Sequence, residues 1–97
     1  QSLPGYGGRH RDRVNPYATD VYRVRYRGGE TARATVTANG RYDIDLYIYN
    51  SAGNLVTYDN DSTSIGICAW TPSRTRDYYL NVKNTTSRYV SYLIYTN

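Results

Sequence analysis

Residues 42–61, YDIDLYIYNSAGNLVTYDND, predict two β-strands joined by a turn, and they decide the fold class. Ile44, Leu46 and Ile48 alternate with polar or amphipathic side chains, which is the period of a strand with one buried face. The small and polar residues NSAGN then favour a tight turn into LVTYD. The rest of the chain continues in short runs of this kind, and no stretch of it has the period of a helix.

Short alternating runs between turn residues follow one another along the chain from Asp20. They are VYRVRYR, TARATVTA, RYDIDLYIY, LVTYD, IGICAW, DYYLNVKN and RYVSYLIYT. Asn39-Gly40, between TARATVTA and RYDIDLYIY, predicts a two-residue hairpin turn because both residues accept a positive φ. About seven to eight short strands at this spacing predict an all-β protein, a single antiparallel β-sandwich of jelly-roll-like form.

Tyrosine takes the place of phenylalanine as the main aromatic residue. The 97 residues include 13 Tyr and no Phe, and only 39% of the chain is hydrophobic. A chain of this length forms one domain with a thin core. We therefore predict that five tyrosines fill the core with their hydroxyls at its polar margin: Tyr22, Tyr26, Tyr42, Tyr78 and Tyr92. Cys68 is the only cysteine, which excludes an internal disulfide, and its apolar neighbours predict a buried thiol.

The first 19 residues differ from the rest of the chain. The stretch QSLPGYGGRHRDRVNPYAT has two Pro, three Gly and no regular period, which predicts an irregular N-terminal arm before a β-sandwich at residues 20–97. Residues 1–27 contain six arginines and two aspartates, and they account for the whole formal charge of +4. The positive charge therefore lies at one end of an otherwise neutral chain.

The start of the sequence and its hydropathy indicate where in or outside the cell the protein is found. The chain begins with Gln1 rather than Met, from which we expect a mature, secreted protein whose signal peptide has been removed. We place it outside the cell or on the cell surface. A membrane span is not expected, because the sequence has no run of 18 apolar residues.

Arginine dominates the basic residues, and Lys83 is the only lysine. Alternation places Arg23, Arg25 and Arg27 on one face of a strand, and three arm residues extend this stripe: Arg9, Arg11 and Arg13. Such a stripe suits a nucleic-acid backbone or an anionic glycan, and it equally suits an edge strand whose charge prevents aggregation. We favour protein contacts, in which Tyr and Arg are enriched. Nucleic acid is not an expected partner, because the chain beyond residue 27 has no positive bias.

Catalysis is not expected from this set of residues. His10 is the only histidine and lies in the predicted arm, so no Ser-His or Cys-His pair is expected within the sandwich. The acid and base groups that enzymatic chemistry needs are therefore missing, and we predict that the protein is not an enzyme.

Polar residues form two further candidate sites, one for a metal ion and one for glycans. Two aspartates on one strand face and two in a nearby loop suit a structural Ca²⁺ ion: Asp43, Asp45, Asp59 and Asp61. The alternative is that these carboxylates form ion pairs and turn hydrogen bonds, with no cofactor. Asn60-Asp61-Ser62 and Asn84-Thr85-Thr86 match the N-glycosylation sequon in predicted loops, so Asn60 and Asn84 are candidate glycan sites.

Several ordered motifs resemble the bacterial pre-peptidase C-terminal (PPC) domain. The core motif of that family is a D-x-D-L-Y strand, a Gly-Asn turn and a strand that ends in Asp. The corresponding residues here are 43–47, Gly53-Asn54 and Asp59, and CAWTP, DYYLNVKN and YLIYTN agree with later segments, so the resemblance covers residues 20–97. It implies a compact, jelly-roll-like sandwich of the kind appended to secreted proteases and related to collagen-binding modules. It also implies a non-catalytic role such as adhesion to a substrate.

Two functional hypotheses follow, and we favour the first. In the first, copies of the chain assemble into an extracellular filament or surface layer, each arm docking on a neighbouring subunit by strand addition. The contact residues would lie in the arm and the first strand: Tyr6, Arg9, Arg11, Arg13, Tyr17, Arg23, Arg25 and Arg27. In the second, the chain is a binding module for a polysaccharide or a collagen-like protein, using the outward aromatic side chains of Tyr47, Tyr49 and Tyr79.

Overall fold

Two stacked β-sheets account for the residues that the structure, a computed structural model, describes: 1–40 and 42–97. These residues form nine strands, numbered in chain order: β1 (Ser2–Pro4), β2 (Arg9–Val14), β3 (Thr19–Tyr26), β4 (Ala32–Ala38), β5 (Ile44–Asn50), β6 (Leu55–Asp59), β7 (Ile65–Trp70), β8 (Arg76–Asn84) and β9 (Val90–Thr96). Sheet A has the order β1-β3-β8-β5-β6, and sheet B has the order β2-β9-β4-β7. All neighbours are antiparallel except β1 and β3, which are parallel. The predicted all-β sandwich is confirmed.

The core lies between the inner faces of the two sheets, as the alternation predicts. Buried residues include the expected inward positions of five strands: Tyr22, Val24, Tyr26, Ala32, Ala34, Val36, Ala38, Ile44, Leu46, Ile48, Tyr78, Leu80, Val82, Val90, Tyr92 and Ile94. Tyr42, also predicted to lie in the core, is half-buried and packs against its margin. Four of the five predicted core tyrosines are thus buried, and they fill core positions that phenylalanine usually occupies.

Three of the core tyrosines hydrogen-bond through their hydroxyl groups within the sandwich. The hydroxyls of Tyr22 and Tyr92 bond to each other, and Tyr92 donates to Asp20 Oδ2 at 2.6 Å. Tyr26 donates to the backbone carbonyl of Arg33 at 3.0 Å. Because a buried hydroxyl without a partner costs stability, these bonds explain how tyrosine is accommodated at positions suited to phenylalanine.

The N-terminal segment is not the irregular arm that its composition predicts, because it supplies one strand to each sheet. β1 pairs with β3, with Leu3 opposite Val24, and β2 pairs with β9, with Arg11 opposite Leu93. Both are edge strands, and Val14 is the only fully buried residue of β2. An edge strand stabilised mainly by backbone hydrogen bonds needs little apolar periodicity, so the sequence pattern missed it.

The turn at Asn39-Gly40 is not the predicted hairpin. Gly40 has a φ of +75°, as the sequence indicates, but β4 belongs to sheet B and β5 to sheet A, so the chain crosses between the sheets. Alternation shows which residues face inward and not which sheet a strand joins. Arg41, the first residue of the predicted strand, lies outside the described residues. The NSAGN turn does form a hairpin, with the Asn50 amide donating to the Asn54 carbonyl at 2.9 Å.

Candidate binding face

The outer surface of sheet A has a cluster of aromatic residues, which we call the tyrosine face. It consists of four tyrosines, on β5, β6 and β8, with two aliphatic neighbours: Tyr47, Tyr49, Tyr58, Tyr79, Val21 and Leu55. The register makes Tyr49 a direct neighbour of both Tyr79 and Leu55, and Tyr47 a neighbour of Tyr58. Residues that pair across strands share a face, so these side chains form one continuous surface.

Two rings of the tyrosine face are stacked. Tyr47 and Tyr58 have centroids 5.8 Å apart and planes inclined by 19°. The Asn60 amide donates to the Tyr47 hydroxyl at 3.5 Å, and Tyr58 is 52% exposed. The pair is therefore an aromatic group that is partly open to solvent, which suits packing against an apolar group or a sugar ring.

A shallow depression adjoins these rings. Val21, Tyr49 and Tyr79 form its apolar wall, and Asn81 and the β5–β6 turn supply polar groups. Its volume is about 310 Å³. A mainly apolar hollow with a few polar groups at its border is the usual form of a small recognition site.

Local sequence features position these side chains. Alternation along β5 directs Ile44, Leu46 and Ile48 inward, which leaves Tyr47 and Tyr49 outside. An irregularity in the β5–β6 register between Ile48 and Tyr49 then brings Leu55 beside Tyr49. Sequence reasoning identified Tyr47, Tyr49 and Tyr79 but missed Tyr58, although the NSAGN hairpin places β6 beside β5.

Arginines of β3 border the tyrosine face. Arg23 lies opposite Tyr79, and its neighbour Arg25 forms a salt bridge with Asp77 at 3.1 Å. The structure thus joins two predicted sets, the strand arginines and the outward tyrosines, on one surface. Arg23 is the member of the stripe nearest the aromatic rings, and its planar group can stack on them or bind a carboxylate of a ligand.

The other residues predicted for a subunit contact are dispersed over the molecule. Arg9, Arg11 and Arg13 belong to sheet B, on the opposite side from Arg23 and Arg25. Tyr6 packs on the core residue Tyr26 at a centroid distance of 5.6 Å and lies 4.0 Å beneath the Arg27 guanidinium. Tyr17 is 70% exposed in the loop between β2 and β3. These eight residues do not form one surface.

Asp43 and Asp45 lie side by side at the start of β5. Asp45 is only 6% exposed, and one carboxylate oxygen of each residue has no hydrogen-bond partner among the described residues. Burial first, and then the neighbouring Asp43, raise the pKa of Asp45 to about 6, although Lys83 opposes this shift. Asp43 accepts a hydrogen bond from the Thr85 hydroxyl at 3.1 Å. Asp43 thus lies close enough to disfavour the charged form of Asp45, and among the described residues neither carboxylate forms a salt bridge with an arginine.

The four predicted calcium ligands do not come together. Asp59 accepts from the Ile67 amide at 2.9 Å, and Asp61 accepts from the Thr63 hydroxyl at 2.7 Å. In the described part of the chain, no group of three or more His, Cys, Asp or Glu side chains is arranged to hold a metal ion. Calcium binding remains a prediction that now rests on Asp43 and Asp45, since their unpartnered oxygens are the fitting donors.

The two predicted glycan sites differ in accessibility. Asn84 is fully buried, and its amide donates to the carbonyls of Asn15 at 3.1 Å and Arg88 at 2.6 Å. The prediction of a glycan there is wrong, because the sequon asparagine is a buried structural residue whose amide is already bonded. Asn60 is exposed, and a glycan at that position remains a prediction.

His10 and Cys68 lie in strands. His10 belongs to β2 rather than to an irregular segment, and its ring lies 5.8 Å from Tyr22 and 3.4 Å from Asp12. Cys68 is buried, as predicted, and burial raises the pKa of its thiol to about 12. A thiol with such a pKa is a poor nucleophile at neutral pH.

Comparisons with known proteins bear on the fold. No protein-family model and no curated protein matches the chain. The pre-peptidase C-terminal domain of collagenase from Bacillus anthracis superposes with a TM-score of 0.82 at 13% identity, covering 100% of this chain and 95% of that one. The fold is PPC-like. The resemblance inferred from the motifs is therefore confirmed at the level of structure.

Two further solved structures share the architecture. PliG of Aeromonas hydrophila, a periplasmic inhibitor of g-type lysozyme, has a TM-score of 0.65 at 12% identity and covers 99% of this chain and 96% of its own. PliG of Salmonella Typhimurium has a TM-score of 0.58 at 15% identity and covers 100% and 99%. At these identities the likeness shows the PPC-like fold alone, and function must be argued from the surface.

Proposed function

We propose that the protein is a non-enzymatic binding module that attaches to an extracellular protein through the tyrosine face. The observation that supports this most strongly is the continuous surface formed by the stacked Tyr47–Tyr58 pair, Tyr49 and Tyr79. Tyr and Arg are enriched where proteins meet, and exposed aromatic clusters of this kind mark interaction sites. Arg23 at its border supplies a polar anchor.

A collagen-like protein is the partner class that we favour. An elongated partner can lie along the row formed by Leu55, Tyr49, Tyr79 and Arg23, which crosses four neighbouring strands of sheet A. The superposing bacterial domain is part of a collagenase, which is consistent with this choice. Collagen chains expose prolyl rings and backbone carbonyls, and tyrosine offers a ring to the first and a hydroxyl to the second.

A polysaccharide is the second candidate. The exposed, stacked pair of Tyr47 and Tyr58 favours it, since a sugar ring can pack against an exposed aromatic side chain. The two candidates use the same face and are separated by the binding experiment below.

The arm-mediated filament is not retained. It required the N-terminal residues to dock on a neighbouring subunit, and β1 and β2 are paired within their own chain. Strand addition at the edges of sheet B is also hindered. The Arg13 amide is bonded to the Asp12 carboxylate at 2.7 Å, and the Ile67 amide of β7 is bonded to Asp59 at 2.9 Å. Carboxylates at edge strands oppose pairing with another chain.

We place the protein outside the cytoplasm. In the part of the chain that the structure describes, no helix is long and apolar enough to cross a membrane. PliG, which shares the fold, is periplasmic. A binding module for collagen-like protein or polysaccharide would meet its ligand in an extracellular setting.

Pull-down of the full chain on insoluble collagen and on insoluble polysaccharide tests the proposal. We expect Tyr47→Ala and Tyr49→Ala to weaken retention by about tenfold or more on the true ligand. Tyr17→Ala is the matched control, because this tyrosine is exposed in a loop away from the face, and its loss should leave retention unchanged. Retention that survives both face substitutions would exclude the tyrosine face as the binding site.

A further inference from the structure

The outer surface of sheet B has a different chemistry, and we call its charged part the arginine face. It consists of four outward arginines, three on β2 and one on β4: Arg9, Arg11, Arg13 and Arg33. Successive outward residues of a strand lie about 7 Å apart, so Arg9, Arg11 and Arg13 form a regular row. The register places Tyr95 beside Arg9 and Leu93 beside Arg11.

The surplus positive charge of the protein is concentrated on this face. The outward positions of β2, β9, β4 and β7 include no Asp or Glu among the described residues. Asp12 of β2 alternates with these arginines and contacts His10, although it also lines the depression beside Arg11 and Arg13. On sheet A, by contrast, Arg25 is neutralised by Asp77, and Lys83 lies opposite Asp45. The arginine face is therefore the one strongly positive surface of the described sandwich.

These arginines are available for a partner. Among the described residues, no carboxylate lies within salt-bridge distance of Arg9, Arg11 or Arg33. Arg13 stacks on the Tyr89 ring at 4.6 Å, which orients its guanidinium without neutralising it. Planar guanidinium groups in a fixed row are suited to bidentate binding of carboxylates.

Apolar side chains lie next to the arginine row. Leu93 and Tyr95 of β9 lie directly beside the row, whereas Ile65 and Ile67, which is 53% exposed, lie on β7 at the opposite edge of the sheet. Thr35 and Thr37 of β4 separate the two isoleucines from β9. A shallow depression of about 990 Å³ lies along the row, lined by Arg11, Asp12, Arg13, Leu93 and Tyr95 among others. An apolar centre beside a charged border is the anatomy of a protein interface.

We propose that the outer surface of sheet B docks an acidic protein segment that presents both carboxylates and apolar side chains on one face. Charge complementarity selects a partner rich in carboxylates for the arginine row. The exposed isoleucines and Leu93 favour a protein over an anionic glycan or a nucleic acid, because those polymers have little apolar surface with which to cover aliphatic side chains. A second copy of this chain meeting the face with the same face is disfavoured, since its arginines would repel these.

This site is independent of the proposed function. The outer faces of the two stacked sheets point in opposite directions, so a ligand on the tyrosine face leaves the arginine face free. Arg25→Glu on sheet A and Arg11→Glu on sheet B change the same residue type on opposite faces, which gives a matched pair of variants. Failure of one site can then be distinguished from failure of the other.

The proposal is tested by titrating the full chain, labelled with ¹⁵N, with a short peptide in which pairs of glutamates alternate with leucine-valine pairs. In an extended peptide this order places both residue types on the same face. We expect amide shifts confined to β2, β9, β4 and β7. Arg11→Glu should weaken binding by about tenfold, Ile67→Ser should weaken it several-fold, and Arg25→Glu should have no effect. A peptide with glutamine in place of glutamate should bind at least about tenfold more weakly, because it lacks the charge.

Heparin and a short DNA duplex serve as the competing ligands. If either binds this face more tightly than the peptide and Ile67→Ser leaves that binding unchanged, the face recognises anionic polymers and the proposal of a protein partner is overturned. Shifts that map to sheet A, or the absence of shifts with the peptide, also overturn it.

Discussion

The side-chain amide of Asn84 donates to the carbonyl of Arg88 at 2.6 Å, and so joins the end of β8 in sheet A to the approach of β9 in sheet B. The same amide donates to the carbonyls of Val14 and Asn15 at the end of β2. Its Oδ1 accepts from the Thr86 amide at 2.9 Å. One buried side chain thus joins three strands at one end of the sandwich.

Asn84→Ala should therefore destabilise the fold by about 2–4 kcal/mol, because it removes several hydrogen bonds to buried and partly buried backbone groups. The midpoint of urea unfolding, followed by tyrosine and tryptophan fluorescence, measures this loss. Asn60→Ala is the control, since Asn60 is exposed and its one side-chain contact, to Tyr47, is 3.5 Å long. Equal midpoints for the two variants would contradict the role assigned to Asn84.

The buried Asp45 predicts a dependence of stability on pH. Its pKa is about 6 in the folded chain and 3.8 for the unperturbed group, so between these values the folded state holds more protons than the unfolded one. The free energy of unfolding should then fall as pH rises through this window, by on the order of 2 kcal/mol, and level off above it. Urea titrations at several pH values, with EDTA present to exclude bound cations, measure this slope.

Substitution of two neighbours of Asp45 tests whether this residue causes the pH dependence of stability. Asp43→Asn removes a carboxylate that raises the pKa of Asp45, so it should flatten the slope. Lys83→Met removes a cation that lowers the same pKa, so it should extend the fall in stability to higher pH. A slope that neither change alters would place the responsible group elsewhere.

Asp59 is predicted to prevent pairing at the β7 edge. Its carboxylate accepts from the Ile67 amide, and without it that N–H would be open to another chain. Asp59→Leu should lower stability by about 1–2 kcal/mol and increase self-association in sedimentation at high concentration. Asp59→Asn keeps an oxygen acceptor at the same place and should remain closer to the wild type. Identical sedimentation of all three proteins would remove edge protection as the role of Asp59.

Gly5 tests whether the first residues truly belong to sheet A. A Cβ atom at Gly5 would lie 1.9 Å from the Arg25 carbonyl, so Gly5→Ala must displace the chain that follows β1. The Arg23 amide, which donates to the Gln1 carbonyl at 2.8 Å, should then lose protection from hydrogen exchange. We expect a loss of about 1–3 kcal/mol in stability as well.

Gly7→Ala is the matched control for Gly5. Gly7 has a φ of +76° but no atom within 4 Å of its Cβ position, so alanine there costs only about 1 kcal/mol of backbone strain. Protection of the Arg23 amide should be retained in this variant. If both glycine variants keep that protection, the pairing of β1 with β3 is not as the structure has it.

The sequence allowed the inward positions to be predicted and left the pairing of strands open. Ile44, Leu46 and Ile48 could be assigned because burial of one strand face imposes a period of two. The hairpin predicted at Asn39-Gly40 failed because a glycine with positive φ suits a crossover between sheets as well as a hairpin. β2 was missed because an edge strand with Val14 as its one buried residue has almost no apolar pattern.

The candidate site was predictable only in part for the same reason. Tyr47, Tyr49 and Tyr79 could be placed outside the core by alternation, but the position of Arg23 opposite Tyr79 depends on the strand order of sheet A. Asn84 was misassigned because a sequon specifies residue types and not accessibility. Arg11 and Arg25 likewise lie on opposite faces because β2 and β3 belong to different sheets. That assignment depends on pairing between strands that are distant in sequence.

The hydroxyl pair of Tyr22 and Tyr92 affects how strictly the strand register is defined. With phenylalanine at these positions, a strand could shift its register at little cost, because one apolar contact would replace another. A hydroxyl bonded to one partner does not tolerate this, because a shifted strand would bury it unbonded at a cost of about 1–3 kcal/mol. Tyr22 lies on β3 and Tyr92 on β9, so their bond aligns sheet A with sheet B. The hydrogen bond between these two core tyrosines therefore disfavours any shifted alignment of the two sheets.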